Sequence, residues 1–405
     1  MPPKAGTRSR LRVLLVWHGA AGGAHRRRFE ALVRAGAELT VAVPSRWHEN
    51  GRVVKTTGFE GDGYRVVPLK VVWPKHGALY LYTGSLARLW KAVRPQVVHV
   101  HEEPFSLSAA QALALAGLLR PRAAMVFEAW QNLYKRYPPP FSWVERRVLS
   151  RADHLIAGTS EIQDVLVRKG AKVPISVVPL GTSMDDFRRV DDPAIRATVR
   201  GGASFVIGYV GRLVPEKGVA TLLKAAALLE GAWHVVVIGQ GPERPALEEL
   251  ARQLGIHHRV SFLGALGHSD LPGYLSAMDV LVLPSLTTPR WKEQFGRVLI
   301  EAMACGVPAV GSSSGEIPRV VGDAGLVFRE GDSNDLARCL RLLQSDSMLS
   351  AQLGMSGVDR VAKHFTWERV AAQTMDVYRQ AYARRGLANH HELPEEIASR
   401  AVEMQ

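Results

Sequence analysis

Two cysteines, Cys305 and Cys339, are all that the 405 residues contain. So few thiols exclude a disulfide framework, and neither has a partner at zinc-ligand spacing, so both are expected to be small buried side chains on helices. Long hydrophobic runs are missing too. The longest near-apolar stretch, residues 107–119, is interrupted by Gln111 and falls well short of the ~20 residues that span a bilayer. The basic residues 1–12 lead into an apolar run at 13–17 that is too short for the core of a signal peptide and reads as a first core strand. A soluble or peripherally bound chain working in the cytoplasm is expected. No Asp-x-Asp pair occurs, and no internal repeat or low-complexity tract stands out.

Acidic residues are scarce in one half only. Residues 1–180 carry 27 Lys and Arg against 12 Asp and Glu, whereas the remaining 225 carry 24 against 26. The whole positive excess, formally +13 for the chain, therefore lies in the first half and points to an anionic partner there. From Trp73 to Arg94, Lys75, Arg88, Lys91 and Arg94 are interleaved with Tyr80, Tyr82, Leu86 and Trp90, a pattern that suits docking at the inner face of a membrane. A helix packed on a sheet with a solvated basic face is the competing expectation. Nucleic acid is the weaker partner, since no recognised binding motif accompanies the charge.

What is abundant is the alternation of short β-branched or aliphatic runs with longer amphipathic stretches, the pattern of βαβ units and parallel sheets. Strands are expected at 11–16, 39–43, 97–100, 124–127, 154–157 and 175–178, then at 205–210, 234–238, 260–262, 280–283 and 309–310. The chain is too long for one ordinary core. Two doubly wound α/β domains follow, 1–180 and 181–365, with the boundary in the turn-rich, charged segment from Pro179 to Gly202. Trp367, Val370, Met375 and Tyr378 recur at helical spacing, so 366–386 is expected to be a helix, followed by a loose tail at 387–405.

The chemistry gathers at expected strand ends. In Gly208-Tyr-Val-Gly211-Arg212-Leu-Val-Pro-Glu-Lys217-Gly218, Gly211 allows close backbone approach, while Arg212 and Lys217 bracket a loop before a helix expected at 220–229. Two fixed cations there can neutralise a diphosphate without metal. In Glu293-Gln-Phe295-Gly296-Arg297-Val-Leu-Ile-Glu301, two carboxylates stand eight residues apart around a helix start. Backbone N–H groups open toward an anion near Phe295-Gly296, and Glu301 lies about two turns further on. Gly306-Val-Pro308 stops that helix, and Gly311-Ser-Ser-Ser-Gly-Glu316 follows the next strand. Lys217 and Glu293 both fall in loops and are expected to serve a ligand, not the fold. The turns Gly239-Gln-Gly241-Pro242 and Phe262-Leu263-Gly264 offer main chain to a ligand, but lack the third glycine and the acid of a dinucleotide fingerprint. Gly19-Ala-Ala-Gly22-Gly23 follows the first strand. His99-Val-His101-Glu102-Glu103-Pro104 ends another, with both histidines on one strand face and no third ligand at convincing spacing, so metal is not expected.

Over about residues 11–385 these segments resemble the retaining glycosyltransferases of family 4, whose E-x7-E signature the stretch from Glu293 to Glu301 matches. The resemblance implies the GT-B fold, two Rossmann-like domains facing each other across a cleft, with the last helix returned to the first. It implies that Glu293 contacts the hydroxyls of the transferred sugar, Glu301 the ribose of the nucleotide sugar, Arg212 and Lys217 the donor phosphates, and His101 the sugar. Glu102 and Glu103 are expected to orient His101 or to meet the acceptor, leaving His99 in the core. Gly22, Gly23, Gly211, Gly239, Gly241, Leu263, Phe295, Gly296 and Arg297 complete the implied donor site. The implied reaction moves a hexose, with retention, from a nucleoside diphosphate to a hydroxyl acceptor, with no metal or other cofactor; docking of the basic first half at a membrane makes a lipid-linked or cell-surface glycan precursor the expected acceptor. One departure is visible: many relatives carry His after the strand at 124–127, where Glu128-Ala-Trp130-Gln-Asn132 stands here. Acceptor identity is therefore not carried over. A nucleotide-sugar 2-epimerase of the same fold and a transferase acting on a soluble acceptor are the alternatives. A non-catalytic scaffold for glycan assembly is opposed by the intact set Arg212, Lys217, Glu293 and Glu301.

Overall fold

Runs such as Val97-Val-His-Val100 and Val280-Leu-Val-Leu283 are buried at every position, which requires a strand covered on both faces. In the computed structural model, which describes residues 10–22, 25–49, 52–119 and 122–386, such strands form two doubly wound sheets. The first has eight, in the spatial order Ile175–Val177, His154–Ala157, Ala124–Ala129, Val97–Val100, Leu11–Val16, Ala37–Pro44, Tyr64–Leu69 and Phe59–Gly61. All neighbours pair in parallel except the last, which is antiparallel. The second has six parallel strands, Val260–Gly264, Trp233–Ile238, Phe205–Val210, Val280–Leu283, Ala309–Ser312 and Gly325–Phe328. In each, the chain starts in an interior strand, winds outward, then returns to build the other side. The order reverses between Leu11–Val16 and Val97–Val100 in one sheet, and between Phe205–Val210 and Val280–Leu283 in the other. Open α/β sheets bind ligands outside the carboxyl ends of strands at such points.

The chain divides into one unit made of Met1–Pro179 with Trp367–Gln405 and a second made of Leu180–Thr366. Helix Trp367–Arg384 packs beside helix Arg26–Arg34 and buries Val370, Met375, Tyr378 and Ala381 in the first unit's core. In the second unit, Thr182 and Thr366 form a parallel bridge, and the Thr182 amide donates to the Phe365 carbonyl at 2.8 Å, so this unit's two ends lie side by side.

Several elements differ from expectation. Six short strands between 46 and 82 and the strand Gly325–Phe328 were not foreseen; most are too short for a period to show, and Tyr64–Leu69 contains Pro68. The segment read as an aperiodic boundary holds helix Pro193–Arg200, started by the Asp192 side chain on the amides of Ala194 and Ile195 and ended by Gly201 in the left-handed conformation. The helix expected at 220–229 is Val219–Ala226. Within the segment read as interfacial, Trp73 is 57% exposed, but the other apolar side chains named there are not. Tyr80, Tyr82, Leu86 and Trp90 are at most 2% exposed in the core, and only the basic face of helix Ser85–Val93 meets solvent. Both cysteines are buried. Gly23 and the tail at 387–405 lie outside the described residues.

Candidate functional site

In the second unit, the loops at the switch point bring together groups far apart in sequence. A 3-10 turn, Pro215–Lys217, follows strand Phe205–Val210 and aims Lys217 at the segment after Val280–Leu283. The turn ends in Gly218 at φ +65°, where a Cβ would stand 2.0 Å from the Pro284 carbonyl oxygen, so only glycine lets the chains pass. Lys217 Nζ donates to Glu293 Oε2 at 2.5 Å, and Ser285 Oγ donates to the same oxygen at 2.7 Å. The ammonium also lies 4.8 Å from the centre of the Trp291 ring. Around the Glu293 backbone wraps the serine turn: a Cβ on Gly315 would fall 1.9 Å from the Glu293 carbonyl oxygen, and Ser312 Oγ donates to the Ser285 carbonyl at 2.6 Å. Lys217 and Glu293 thus neutralise each other in a largely buried setting, a contact that the sequence does not show.

Arg212 stands apart. It is exposed, its carbonyl accepts from Tyr209 Oη at 2.8 Å, and among the described residues its guanidinium makes no ion pair. Gly296, at φ +82°, starts helix Arg297–Ala304, whose first turn has no side-chain cap. Phe295 is buried with its ring against Phe365, so its side chain belongs to the core. Glu301 is also buried, with Oε1 3.0 Å from Arg297 Nε; burial pushes its carboxyl up to about 7, against the lowering pull of Arg297. The glycines of the neighbouring turns face main chain. A Cβ on Gly239 would meet the Gly211 carbonyl oxygen at 1.8 Å, and one on Gly241 the Leu213 carbonyl oxygen at 2.1 Å. Backbone bonds from Gly211 to Ile238 and from Leu213 to Gln240, each 2.9 Å, stitch these loops together, and Gly239 donates to the Gly264 carbonyl, next to the half-buried Leu263. Their smallness lets these loops pack main chain against main chain.

The first unit's switch point holds a second constellation. His101, after strand Val97–Val100, places Nδ1 2.7 Å from Glu128 Oε2 on the adjacent strand. Arg28, buried on helix Arg26–Arg34, reaches the same oxygen at 2.8 Å, and His99 Nε2 lies 3.1 Å from it while its Nδ1 is 2.8 Å from Tyr378 Oη. Burial opposes the charge of Glu128, but Arg28, His101 and His99 outweigh it and hold the carboxyl well below its usual range. Burial pushes His101 down to about 4 despite Glu128, so its imidazole is neutral at pH 7. A neutral ring that donates Nδ1–H to the carboxylate carries its free lone pair on Nε2. Glu128, not Glu102 or Glu103, thus orients His101. Glu102 instead accepts from the His18 amide at 2.8 Å, His18 Nδ1 and Tyr80 Oη, and Glu103 accepts from the Trp130 amide and is pushed up to about 7 by burial.

A third ligand for a metal, absent from the local sequence, is therefore supplied by Glu128, since donor atoms of His99, His101 and Glu128 lie within 4.8 Å of one another. The Arg28 cation already matches that carboxylate. A cavity of about 320 Å³ opens beside it, lined by Trp17, His18, His101, Glu102, Glu103 and Trp130 among others. Gly22 closes the 3-10 turn that carries His18. Arg28 and Ser285 were not singled out by sequence, and Tyr378 only as a core-facing helix position; one buried arginine among Arg26, Arg27 and Arg28 has no local signature.

Residues 192–358 match the family model described as glycosyl transferases group 1, and residues 28–186 match that of glycosyltransferase family 4. A D-inositol 3-phosphate glycosyltransferase of Stackebrandtia nassauensis is 30% identical over 335 residues, covering 76% of this chain and 74% of that protein. Its counterpart from Streptomyces avermitilis is 35% identical over 268 residues, 61% of this chain, which spans only 56% of that relative's length. Among solved structures, sucrose-phosphate synthase from Thermosynechococcus elongatus shares the fold with a TM-score of 0.73 at 23% identity, covering 92% of this chain and 100% of that one. Anabaena Alr3699/HepE in complex with UDP does so at 0.70 and 18%, covering 91% and 99%. With models of the family matching segments of both units and a relative 30% identical over 74% of its length, the chain belongs to glycosyltransferase family 4, built from two Rossmann-like units of the GT-B type.

Proposed function

We propose that the chain transfers a hexose from a nucleoside diphosphate sugar to a hydroxyl acceptor with retention of anomeric configuration. The observation that carries this reading is the Lys217 ammonium held on Glu293, whose Oε2 also accepts from Ser285, at the second unit's switch point, close in sequence to Arg212, whose guanidinium makes no ion pair among the described residues. Both cations stand on the loop after strand Phe205–Val210, and the uncapped start of helix Arg297–Ala304 adds backbone N–H groups. Charges fixed before the reaction stabilise a departing diphosphate without reorganising, usually the largest catalytic term. Glu293 bonds the sugar hydroxyls and Glu301 the ribose. This scheme needs no divalent ion, so chelation by EDTA is expected to leave transfer intact; loss restored by Mn²⁺ or Mg²⁺ would contradict it.

The acceptor belongs to the first unit, where His101 Nε2 presents a lone pair to the cavity. The curated relatives are named for D-inositol 3-phosphate, but among the described residues this cavity is lined by Glu102, Glu103 and Glu128 and by no Lys or Arg. A phosphate there would meet carboxylates. An uncharged saccharide hydroxyl, with the half-buried Trp130 beside it, is better matched, in keeping with a glycan precursor, lipid-linked or free. The test is a transfer assay offering UDP-, GDP- and ADP-sugars, first found by thermal shift, to neutral saccharides and to inositol phosphate. Product with the donor's anomeric configuration supports the reading; an inverted anomer, or C2 inversion of the donor without transfer, overturns it.

A further inference from the structure

Helix Leu107–Leu118 contains no charged residue. One side, including Ala109, Ala112 and Ala116, is buried in the first unit, yet the other presents Ala114, Gly117 and Leu118 to solvent, with Leu118 78% exposed. A helix that is apolar on its outer face lacks the polar stripe by which surface helices meet water. Beside it, helix Phe141–Arg151 displays Trp143, 60% exposed. Between the two runs an apolar trough of about 820 Å³, fringed by Arg122, Arg147, Arg151 and Arg385, with no acidic residue in its lining. Arg385 is paired with Asp153 at 2.8 Å, whereas Arg122, Arg147 and Arg151 make no ion pair among the described residues.

We propose that this trough docks the protein on an anionic lipid bilayer. Leu118 and Trp143 enter the boundary between headgroups and acyl chains, where an indole is at home, and the three unpaired guanidinium groups meet lipid phosphates around them. The positive excess of residues 1–180 draws the surface in from a distance. The floor, aliphatic but for Trp143, offers no run of aromatic rings on which a single-stranded nucleic acid would stack. The docking face is not the segment around Trp90, whose apolar side chains are in the core, and it stands whether or not the transfer reading holds.

Full-length protein is sedimented with vesicles of phosphatidylcholine alone or mixed with phosphatidylglycerol. Binding to the anionic vesicles alone, weakened by salt, is expected. Arg147→Gln with Arg151→Gln should lower partitioning roughly 30-fold, at about 1 kcal/mol per guanidinium lost, and Leu118→Ser should lower it too. Lipids brominated in their acyl chains should quench tryptophan emission of the parent protein and spare that increment in Trp143→Phe. All four side chains are exposed, so melting temperatures should hold. Partitioning unchanged by these variants, equal quenching of Trp143→Phe, or lipid-free dimers dispersed by Leu118→Ser would overturn the proposal.

Discussion

Lys217 and Glu293 share a site in which only 15% and 9% of their side chains are exposed, so each is the other's chief replacement for water. Removing one member of a buried pair strands the other's charge, so Lys217→Met is expected to lower unfolding free energy by about 3 kcal/mol. Its transfer rate should fall by ~10²–10³. Adding Glu293→Gln should return much of the stability and none of the activity, giving strong coupling in urea unfolding of the four proteins. Strictly additive losses would contradict the pairing. Glu301 and Glu103 act in a different currency, the proton. Both carboxyls are raised by burial from 4.5 to about 7, so the folded chain binds protons that the unfolded chain has released. Their contribution is fullest below pH 4.5, declines by up to roughly 1.4 kcal/mol per pH unit for each group as pH rises toward 7, and is flat above. Glu301→Gln with Glu103→Gln is expected to flatten melting temperature against pH across that window; an unchanged slope would show that the carboxyls titrate normally.

The loops after Phe205–Val210 and Trp233–Ile238 behave as one element because their backbones touch. Gly239, at φ +149°, leaves no room for a side chain against Gly211. Gly239→Ala is therefore expected to destabilise the second unit by about 2–3 kcal/mol, the range of a strained, overpacked position, and to move Arg212 with its loop. Calorimetry together with the donor's KM checks both halves of this statement; a loss of affinity at unaltered stability would assign Gly239 to the ligand instead. How the elements were read from sequence follows the same physics. Strands such as Phe205–Val210 and Val280–Leu283 were legible to the residue because burial on both faces makes them runs without a polar side chain in their core. Val71–Val72 and Leu81–Tyr82, two residues each, carry no period to read. At the site, the Arg212, Lys217, Glu293 and Glu301 positions were visible as motifs. Arg28 on Glu128 and Tyr378 on His99 were not, since contacts across 100 and 279 residues exist only once the sheet and the last helix are in place.

At the scale of the molecule, the first unit is a discontinuous body completed by helix Trp367–Arg384, and the second is an insertion in it. A chain ending at Thr366 loses the cover over Phe29, Leu32 and His99, and is expected to expose that core, bind hydrophobic dye and aggregate, whereas residues 180–366 alone should fold cooperatively with their own core and bind the nucleotide. Circular dichroism and calorimetric melts of the two fragments decide this; a molten second unit would show that it depends on the first. Because Thr182 and Thr366 adjoin, this unit is joined to the rest through two neighbouring strands of chain. For a recombining genome it is a cassette with paired borders. Lineages can trade the half proposed to choose the activated sugar while keeping the half that receives it, so new sugar linkages can arise by exchange of a block, without step-by-step change in either specificity.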